Sequence, residues 1–378
     1  MKIAVLGTGL VGSAIVQDLA EDHRFQILGA DLRQEALKKI SQFPSVSTRE
    51  ADLSDPRKVA ELIKDADLVV SAVPGFLGYQ TLESVIRAGK NVVDISFFNQ
   101  DAFELDGLAR EKGVTAIVDC GVAPGLCNII AGYASAALDR TDSYLCLVGG
   151  LPQKREWPYE YKAVFSPADV IEEYVRPARF LENGQEVVYP ALSEVELREF
   201  PGIGTLEAFN TDGLRSLRRT LDIPNMREKT MRYPGHAGLM RVFRESGFFD
   251  PNPIEVAGVQ VRPLDLTSRL LFEQWAMKES EKDLTVMQVM LEGEQKGKRL
   301  TYSYYLVDHY DTVKKVTSMA RTTGYTCAIA ARLLLDGKVP FQGICPPEYL
   351  GQSEGLFQHF QSEYHKRGIL LEETISRS

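Results

Sequence analysis

From Met1 to Asp119 the chain alternates short apolar runs with amphipathic stretches. Runs at Ile3–Leu6, Gln26–Ala30, Val46–Ala51, Leu68–Ala72, Asn91–Ile95 and Thr115–Asp119 have the length of buried strands. The segments between them, near Val11–Glu21, Gln34–Ser41, Pro56–Lys64, Gly78–Ala88 and Gln100–Lys112, repeat apolar residues at helical spacing. This alternation predicts right-handed crossovers and a doubly wound parallel α/β sheet. Near Thr141 the pattern changes. Ser143–Val148 is apolar, Gly149-Gly150-Leu151-Pro152 breaks it, and alternating segments follow at Gln185–Tyr189, Ile254–Val261 and Arg299–Val307. Those segments predict an inserted α+β domain on a mainly antiparallel sheet. Met319–Leu335 is helical and apolar again, and the Cys345-Pro346-Pro347-Glu348 turn follows. The expected division is a nucleotide-type domain of residues 1–122 plus 320–378 and a substrate or oligomerisation domain of residues 123–319.

The first strand runs into Gly7-Thr8-Gly9-Leu10-Val11-Gly12, which has G-x-G-x-x-G spacing at a strand-to-helix junction. Gly7 suits the tight turn, Gly9 the close approach of a pyrophosphate, and Gly12 close helix–strand packing, as in a Rossmann-type dinucleotide fold. Amides at the helix start, including those of Leu10 and Val11, attract phosphate charge. The second run ends in Asp31-Leu32, near the ~20-residue offset at which a carboxylate meets the adenosine ribose. An acid there favours NAD and repels the extra phosphate of NADP, although Arg33 offsets that repulsion. Asp31 also suits the cap of the next helix. Asp52-Leu53 follows the third strand, where the adenine edge is expected, and Asp52 is equally placed to cap a helix. Val73-Pro74-Gly75-Phe76 ends the fourth strand, which puts it beside the nicotinamide ribose with Phe76 over the ring; the competing reading is a plain Pro-Gly turn.

Length and composition narrow the class. A chain of 378 residues with 44% hydrophobic and 25% charged residues is an ordinary globular protein of about two domains. A net charge of −9 supplies no dominant basic field for nucleic acid. No apolar run approaches the roughly 18–20 residues of a membrane span. The opening run reads as a strand rather than a signal peptide. Five cysteines with no C-x-x-C pair argue against a disulfide framework or a zinc site, so the expected setting is the cytoplasm with reduced thiols. No metal-ligand spacing is present, and Gly121-Val-Ala-Pro-Gly125 lacks the lysine of a P-loop.

Two groups of residues carry candidate chemistry. Asp94 and Ser96 end the fifth strand, and Asp119 and Cys120 end the sixth, forming a polar wall at adjacent strand tips. Strand-end acids also serve as helix caps. The second group lies between Arg215 and His236, where Arg215, Arg218, Arg219, Arg227, Lys229 and Arg232 gather in an acidic protein. Arginine forks recognise carboxylates, so Lys229, Arg232 and Tyr233 are candidate substrate ligands, while a solvated helix face explains Arg215, Arg218 and Arg219 equally well. Pro234-Gly235 fixes a turn before His236, a residue suited either to proton transfer or to a structural role. His309 and the other histidines read as structural.

Together these motifs resemble the saccharopine dehydrogenase family. The resemblance rests on Gly7-Thr-Gly-Leu-Val-Gly12, Val93-Asp94-Ile-Ser96, Asp119-Cys-Gly-Val-Ala-Pro-Gly125, Lys229-Thr-Met-Arg-Tyr-Pro-Gly-His236, Arg321-Thr-Thr-Gly-Tyr and Pro346-Pro-Glu348. It covers most of the chain in order. Within the family the chain looks most like the member that oxidatively deaminates the ε-amino group of lysine. The implied reaction uses NAD and gives ammonia and a semialdehyde that cyclises, with members acting on saccharopine or carboxynorspermidine as the alternative. The resemblance also implies a homodimer or higher oligomer. Under it, Asp94, Asp119 and His236 are the acid–base candidates, and Cys120, Lys229, Arg232 and Tyr233 the substrate ligands. A reading of another class is a non-catalytic NAD-binding sensor or scaffold, which the strand-end acids and His236 count against.

Overall fold

A computed structural model describes residues 1–278 and 280–377. The chain divides into two compact units, Met1–Ala136 with Ala320–Ile369, and Ala137–Met319 with Leu370 onward. The first unit opens with β1 (Lys2–Leu6), α1 (Leu10–Ala20), β2 (Gln26–Asp31), α2 (Gln34–Ile40), β3 (Val46–Glu50) and α3 (Pro56–Ile63). It continues through β4 (Leu68–Ser71), α4 (Gly75–Arg87), β5 (Val92–Asp94), α5 (Asp106–Glu111), β6 (Thr115–Ile117) and α6 (Leu126–Ala137). All six expected strands form, and all pair in parallel. The central ones are buried on both faces, as in a sheet covered by helices on each side: every residue of β4, β5 and β6 is buried. The predicted helix at Gln100–Lys112 splits into a 3-10 turn at Ala102–Leu105 and α5.

The second unit contains β7 (Arg140–Pro152), α7 (Pro167–Val175), β8 (Ala178–Glu182), β9 (Gln185–Tyr189), β10 (Glu196–Phe200), β11 (Gly204–Asn210) and α8 (Leu217–Thr220). After these come β12 (Asn225–Arg232), α9 (His236–Glu245), β13 (Ile254–Val256), β14 (Val259–Val261), α10 (Pro263–Trp275), β15 (Asp283–Gln295) and β16 (Lys298–His309). The chain then returns to the first unit with α11 (Ser318–Leu335), β17 (Gly343–Cys345), α12 (Pro347–Gln352) and α13 (Leu356–Lys366), and ends in β18 (Leu371–Arg377).

The first sheet has the order β17-β6-β5-β4-β1-β2-β3. The second is ordered β10-β11-β12-β7-β15-β16-β18, with β8 and β9 branching from β12. It is mixed but mainly antiparallel, because among the described residues only β7 and β12 pair in parallel. Ile254–Val261, which alternates like a sheet strand, instead folds on itself as the separate hairpin β13–β14.

The unit boundaries depart from the sequence expectation at two places, α6 and β18, and the first sheet gains one strand that was not expected. Helix α6 sits largely in the first unit rather than opening the second. Strand β17 adds a seventh member beside β6 where only a turn was expected; three residues are too few to show a period. Strand β18 pairs with β16 in the second sheet and is not part of the nucleotide-type domain. Only Leu371 is buried in β18, so an edge strand held by backbone pairing leaves little hydrophobic signal. As expected from its apolar pattern, α11 packs back on the first unit: a Cβ on Gly324 would lie 3.1 Å from Ile15 Cγ1 of α1.

Candidate active site

Three glycines shape the turn between β1 and α1, each in its own way. Gly7 has φ +84°, and a Cβ there would lie 2.5 Å from the carbonyl oxygen of Ala72. A Cβ on Gly12 would overlap the carbonyl oxygen of Gly7 at 2.0 Å. Both glycines therefore let backbone touch backbone. Around Gly9 a Cβ would meet only the Arg33 guanidinium, at 3.1 Å, the tip of a flexible side chain. Gly9 is also the N-cap of α1, and no side chain caps that end. An open glycine before an uncapped helix start is a cradle that fits a pyrophosphate.

Asp31 ends β2 buried beneath this turn. Its carboxylate accepts the Thr8 N–H at 2.9 Å and the Arg33 N–H at 2.9 Å, and Arg33 Nε lies 3.4 Å away. Asp31 thus braces the glycine turn from the position where a ribose carboxylate is expected, while Arg33 and Leu32 beside it are exposed. Leu10 is exposed at the helix start and Val11 half-buried. Asp52 closes a local turn by accepting the Ser54 N–H and hydroxyl, and these bonds hold its pKa below the usual carboxylate range. The cap of α3 is Asp55, which accepts the Arg57 N–H, and not Asp52. Leu53 packs in the core with Val59 and Ile63, so its side chain is not available to a nucleotide. Val73 is buried, Pro74 precedes α4 as its N-cap, and Phe76 is exposed on the first turn of that helix.

The register places the strand tips side by side. Leu6, just before the glycine turn, faces Ser71 of β4, and Ser71 faces Asp94 of β5. Asp94 has no exposed surface. It accepts the Ser96 hydroxyl at 2.9 Å and the Ser96 N–H at 3.1 Å, and the Ser71 and Ser96 hydroxyl oxygens lie 3.5 Å apart. Burial pushes the Asp94 carboxyl up to about 7; the serine hydroxyls oppose that rise and the Asp119 charge adds to it. Asp119 is buried in a left-handed backbone conformation, φ 51°, uncommon for a non-glycine residue. The next amide, Cys120 N–H, donates to the Asp94 carbonyl at 2.9 Å, which ties the β6 loop to the end of β5. The Cys120 thiol is fully buried, and burial raises its pKa, so it is a protonated thiol rather than a thiolate.

The remaining sequence candidates lie in the second unit, where most of the basic residues already have partners. Lys229 Nζ donates to the Glu194 carbonyl at 2.8 Å and pairs with Glu196 at 3.1 Å. Arg232 is buried, paired with Glu173 at 2.8 Å, bonded to the Met231 carbonyl, and stacked 4.6 Å over the Tyr161 ring. Arg218 pairs with Glu186, and Arg227 bridges Glu182 and Glu194. The free cationic grip expected at Lys229 and Arg232 is therefore not what the fold presents. Glutamates from elsewhere in the sequence balance them, Glu196 of β10 for Lys229 and Glu173 of α7 for Arg232. Tyr233 donates its hydroxyl to the Pro152 carbonyl at 2.9 Å. His236 starts α9 fully engaged, with Nδ1 3.1 Å from the Tyr159 carbonyl and Nε2 2.9 Å from the Tyr174 hydroxyl. The carbonyl fixes the proton on Nδ1, so Nε2 accepts from Tyr174. Burial, helped by the nearby Arg232 charge, lowers its pKa to about 3. This arrangement gives His236 the structural role rather than that of a proton carrier.

Two family models together match most of this chain. Residues 3–117 match the saccharopine dehydrogenase NADP binding domain, and residues 121–369 match the saccharopine dehydrogenase C-terminal domain. The chain belongs to the saccharopine dehydrogenase family. Among its relatives is the bovine (Bos taurus) mitochondrial alpha-aminoadipic semialdehyde synthase, 25% identical over 92% of this chain and 45% of that protein. The chain thus spans about half the length of the first curated relatives it matches. The saccharopine dehydrogenase [NADP(+), L-glutamate-forming] of Pyricularia oryzae is 24% identical over 99% of both chains. The apo saccharopine dehydrogenase (L-Glu forming) structure from Saccharomyces cerevisiae has a TM-score of 0.80 at 20% identity and covers 99% of each chain, so the fold is shared.

Within this saccharopine dehydrogenase fold, the sequence reading missed Ser71, Asn128 and the role of Glu348. Ser71 lies in an unbroken apolar run, and its polarity was the only available signal. Asn128 and Glu348 are both buried and bonded to each other at 3.1 Å, but 220 residues separate them.

Proposed function

We propose that this protein is a nicotinamide-nucleotide-dependent dehydrogenase that oxidises a CH–NH group of an amino acid, and that it acts as a lysine 6-dehydrogenase with NAD. The single observation carrying the reading is Asp94, a buried carboxyl with a pKa near neutrality, aligned across β4 with the strand that feeds the glycine turn. Oxidative deamination needs a neutral amine, and a carboxylate of pKa about 7 is matched to accept an ammonium proton near neutral pH. When bound, the nicotinamide accepts the hydride from the amine-bearing carbon. Water then adds to the substrate iminium, and ammonia leaves as the aldehyde forms. Lysine, NAD+ and water thus give the semialdehyde, ammonium, NADH and one proton. Asp94 holds the proton removed from the amine, the Ser96 hydroxyl and amide orient its oxygens, and Asp119 on the adjacent tip is the second candidate for the proton of the attacking water.

The names of the relatives support a second reading, a saccharopine-type enzyme acting on a secondary amine. Besides the fungal enzyme, a carboxynorspermidine synthase of Vibrio alginolyticus is 24% identical over 81% of this chain. A side-by-side assay separates the two. Lysine with NAD is expected to generate NADH absorbance, rising with pH as the amine and Asp94 lose their protons. NADPH formed from saccharopine, with none from lysine, would replace the lysine assignment by the saccharopine one. Tight NAD binding without turnover of any amine would leave the non-catalytic sensor.

Cofactor choice is tested at Asp31. Its carboxylate supports NAD, and Arg33 at its side offsets the repulsion of an extra phosphate. Replacing Asp31→Ser is expected to lower the NAD-to-NADP ratio of kcat/KM by roughly tenfold, the equivalent of ~1.4 kcal/mol. An unchanged ratio would remove Asp31 from cofactor recognition and leave it as a brace of the turn.

A further inference from the structure

We propose that Asn128 and Glu348 are positioning residues that hold the Asp119 loop in register with Asp94, an inference that rests on the dehydrogenase reading above. The loop after β6 is folded tightly on itself. Gly121 N–H donates to the Pro124 carbonyl at 3.0 Å, and Gly125, at φ +135°, is so close that a Cβ would lie 1.9 Å from the Gly121 carbonyl oxygen. Asp119 within it adopts a left-handed conformation that has to be held from outside.

The holding contacts form one chain. The Gly125 N–H donates to Asn128 Oδ1 at 3.0 Å, and Asn128 Nδ2 donates to Glu348 Oε2 at 3.1 Å. Neither Asn128 nor Glu348 has exposed surface. Glu348 is fixed in turn by an unusually close helix crossing. A Cβ on Gly132 of α6 would lie 2.1 Å from the Glu348 carbonyl oxygen, and one on Gly351 of α12 would lie 1.9 Å from that of Ile129. Small residues on both helices thus let backbone meet backbone and set Glu348 beside Asn128. From there the chain of bonds runs through Gly125 and the loop to Cys120, whose amide donates to the Asp94 carbonyl. A fully buried glutamate side chain needs hydrogen-bond partners to offset its desolvation. Here it orients an amide that bonds the reaction-side loop.

The test compares variants on one assay of kcat and of NAD affinity by calorimetric titration. Asn128→Ala is expected to lower kcat about 100-fold, the cost of a ~1 Å misplacement, while NAD affinity stays within about twofold. Asn128→Asp keeps the acceptor for Gly125 but sets a second carboxylate against Glu348, and is expected to lose kcat in the same sense. Glu348→Gln keeps an oxygen acceptor for the Asn128 amide and is expected to retain most of the turnover that Glu348→Ala loses. Unchanged kcat in Asn128→Ala and Asn128→Asp would overturn the inference, as would equal losses in Glu348→Gln and Glu348→Ala. So would parallel losses of kcat and NAD affinity, which indicate general collapse. Should Asn128→Ala fail to fold, the isosteric Asn128→Asp decides. A wild-type protein inactive on every amine fails the functional reading instead.

Discussion

Asp94→Asn is expected to lower turnover by ~100- to 10,000-fold, the range typical of removing a general acid–base group, with little change in NAD affinity. The amide is nearly isosteric, and the Ser71 and Ser96 hydroxyls can donate or accept. The polar contacts of the strand tip therefore survive while the proton acceptor is lost. Stability should move the other way. Burial raises the Asp94 carboxyl from an ordinary 3.8 to about 7, so the folded state holds a proton that the unfolded chain releases. The penalty for the buried carboxyl is absent below about 4, grows as pH climbs from there to about 7, and is complete above 7. Asp94→Asn removes it. Its melting temperature should match wild type in acid and exceed it at pH 8. In wild type, kcat/KM should fall as pH drops through about 7, because the protonated carboxyl cannot accept the ammonium proton. A variant with full turnover would exclude Asp94 as the acceptor. One with lost turnover and a lower melting temperature at alkaline pH would assign it a structural role only.

Gly9→Val is expected to weaken NAD binding by at least about 100-fold, or ~2.7 kcal/mol, with the fold intact. The contrast with its neighbours makes the prediction sharp. A side chain at Gly7 or Gly12 runs into the backbone of Ala72 or Gly7, so those variants destabilise the protein itself. At Gly9 the new Cβ meets only the movable end of Arg33, and the added methyl groups fill the approach to the α1 amides. Calorimetric titration with NAD, beside a thermal melt without it, separates the two effects. Wild-type affinity in a folded Gly9→Val protein would falsify the pyrophosphate site.

Much of the first unit was legible because its determinants are local. β1, β4, β5 and β6 are built from short apolar runs bounded by turn residues, whereas the edge strand β3 is polar and mostly exposed. The glycine spacing encodes steric requirements met within a few residues of each other. The alternating segments near Gln185 and Arg299 likewise announced sheet strands in the second unit. The short β17 and the polar edge strand β18 escaped, since backbone pairing holds them with little side-chain signature.

The candidate site divides along the same line. Sequence alone determined that a glycine turn precedes a helix, that an acid ends the next strand, and that Asp94 and Asp119 stand at strand ends. Spacing along one chain is enough to fix those facts. Only the tertiary structure decided what each charge does. It buried Asp94 between two serines, which moves its proton affinity to neutrality. It matched Lys229 and Arg232 with glutamates from other strands and helices, and it fixed both nitrogens of His236. It also joined Asn128 to Glu348 across 220 residues. Ionisation and hydrogen bonding depend on neighbours in space and on exclusion of water, and neither is written in the order of the residues.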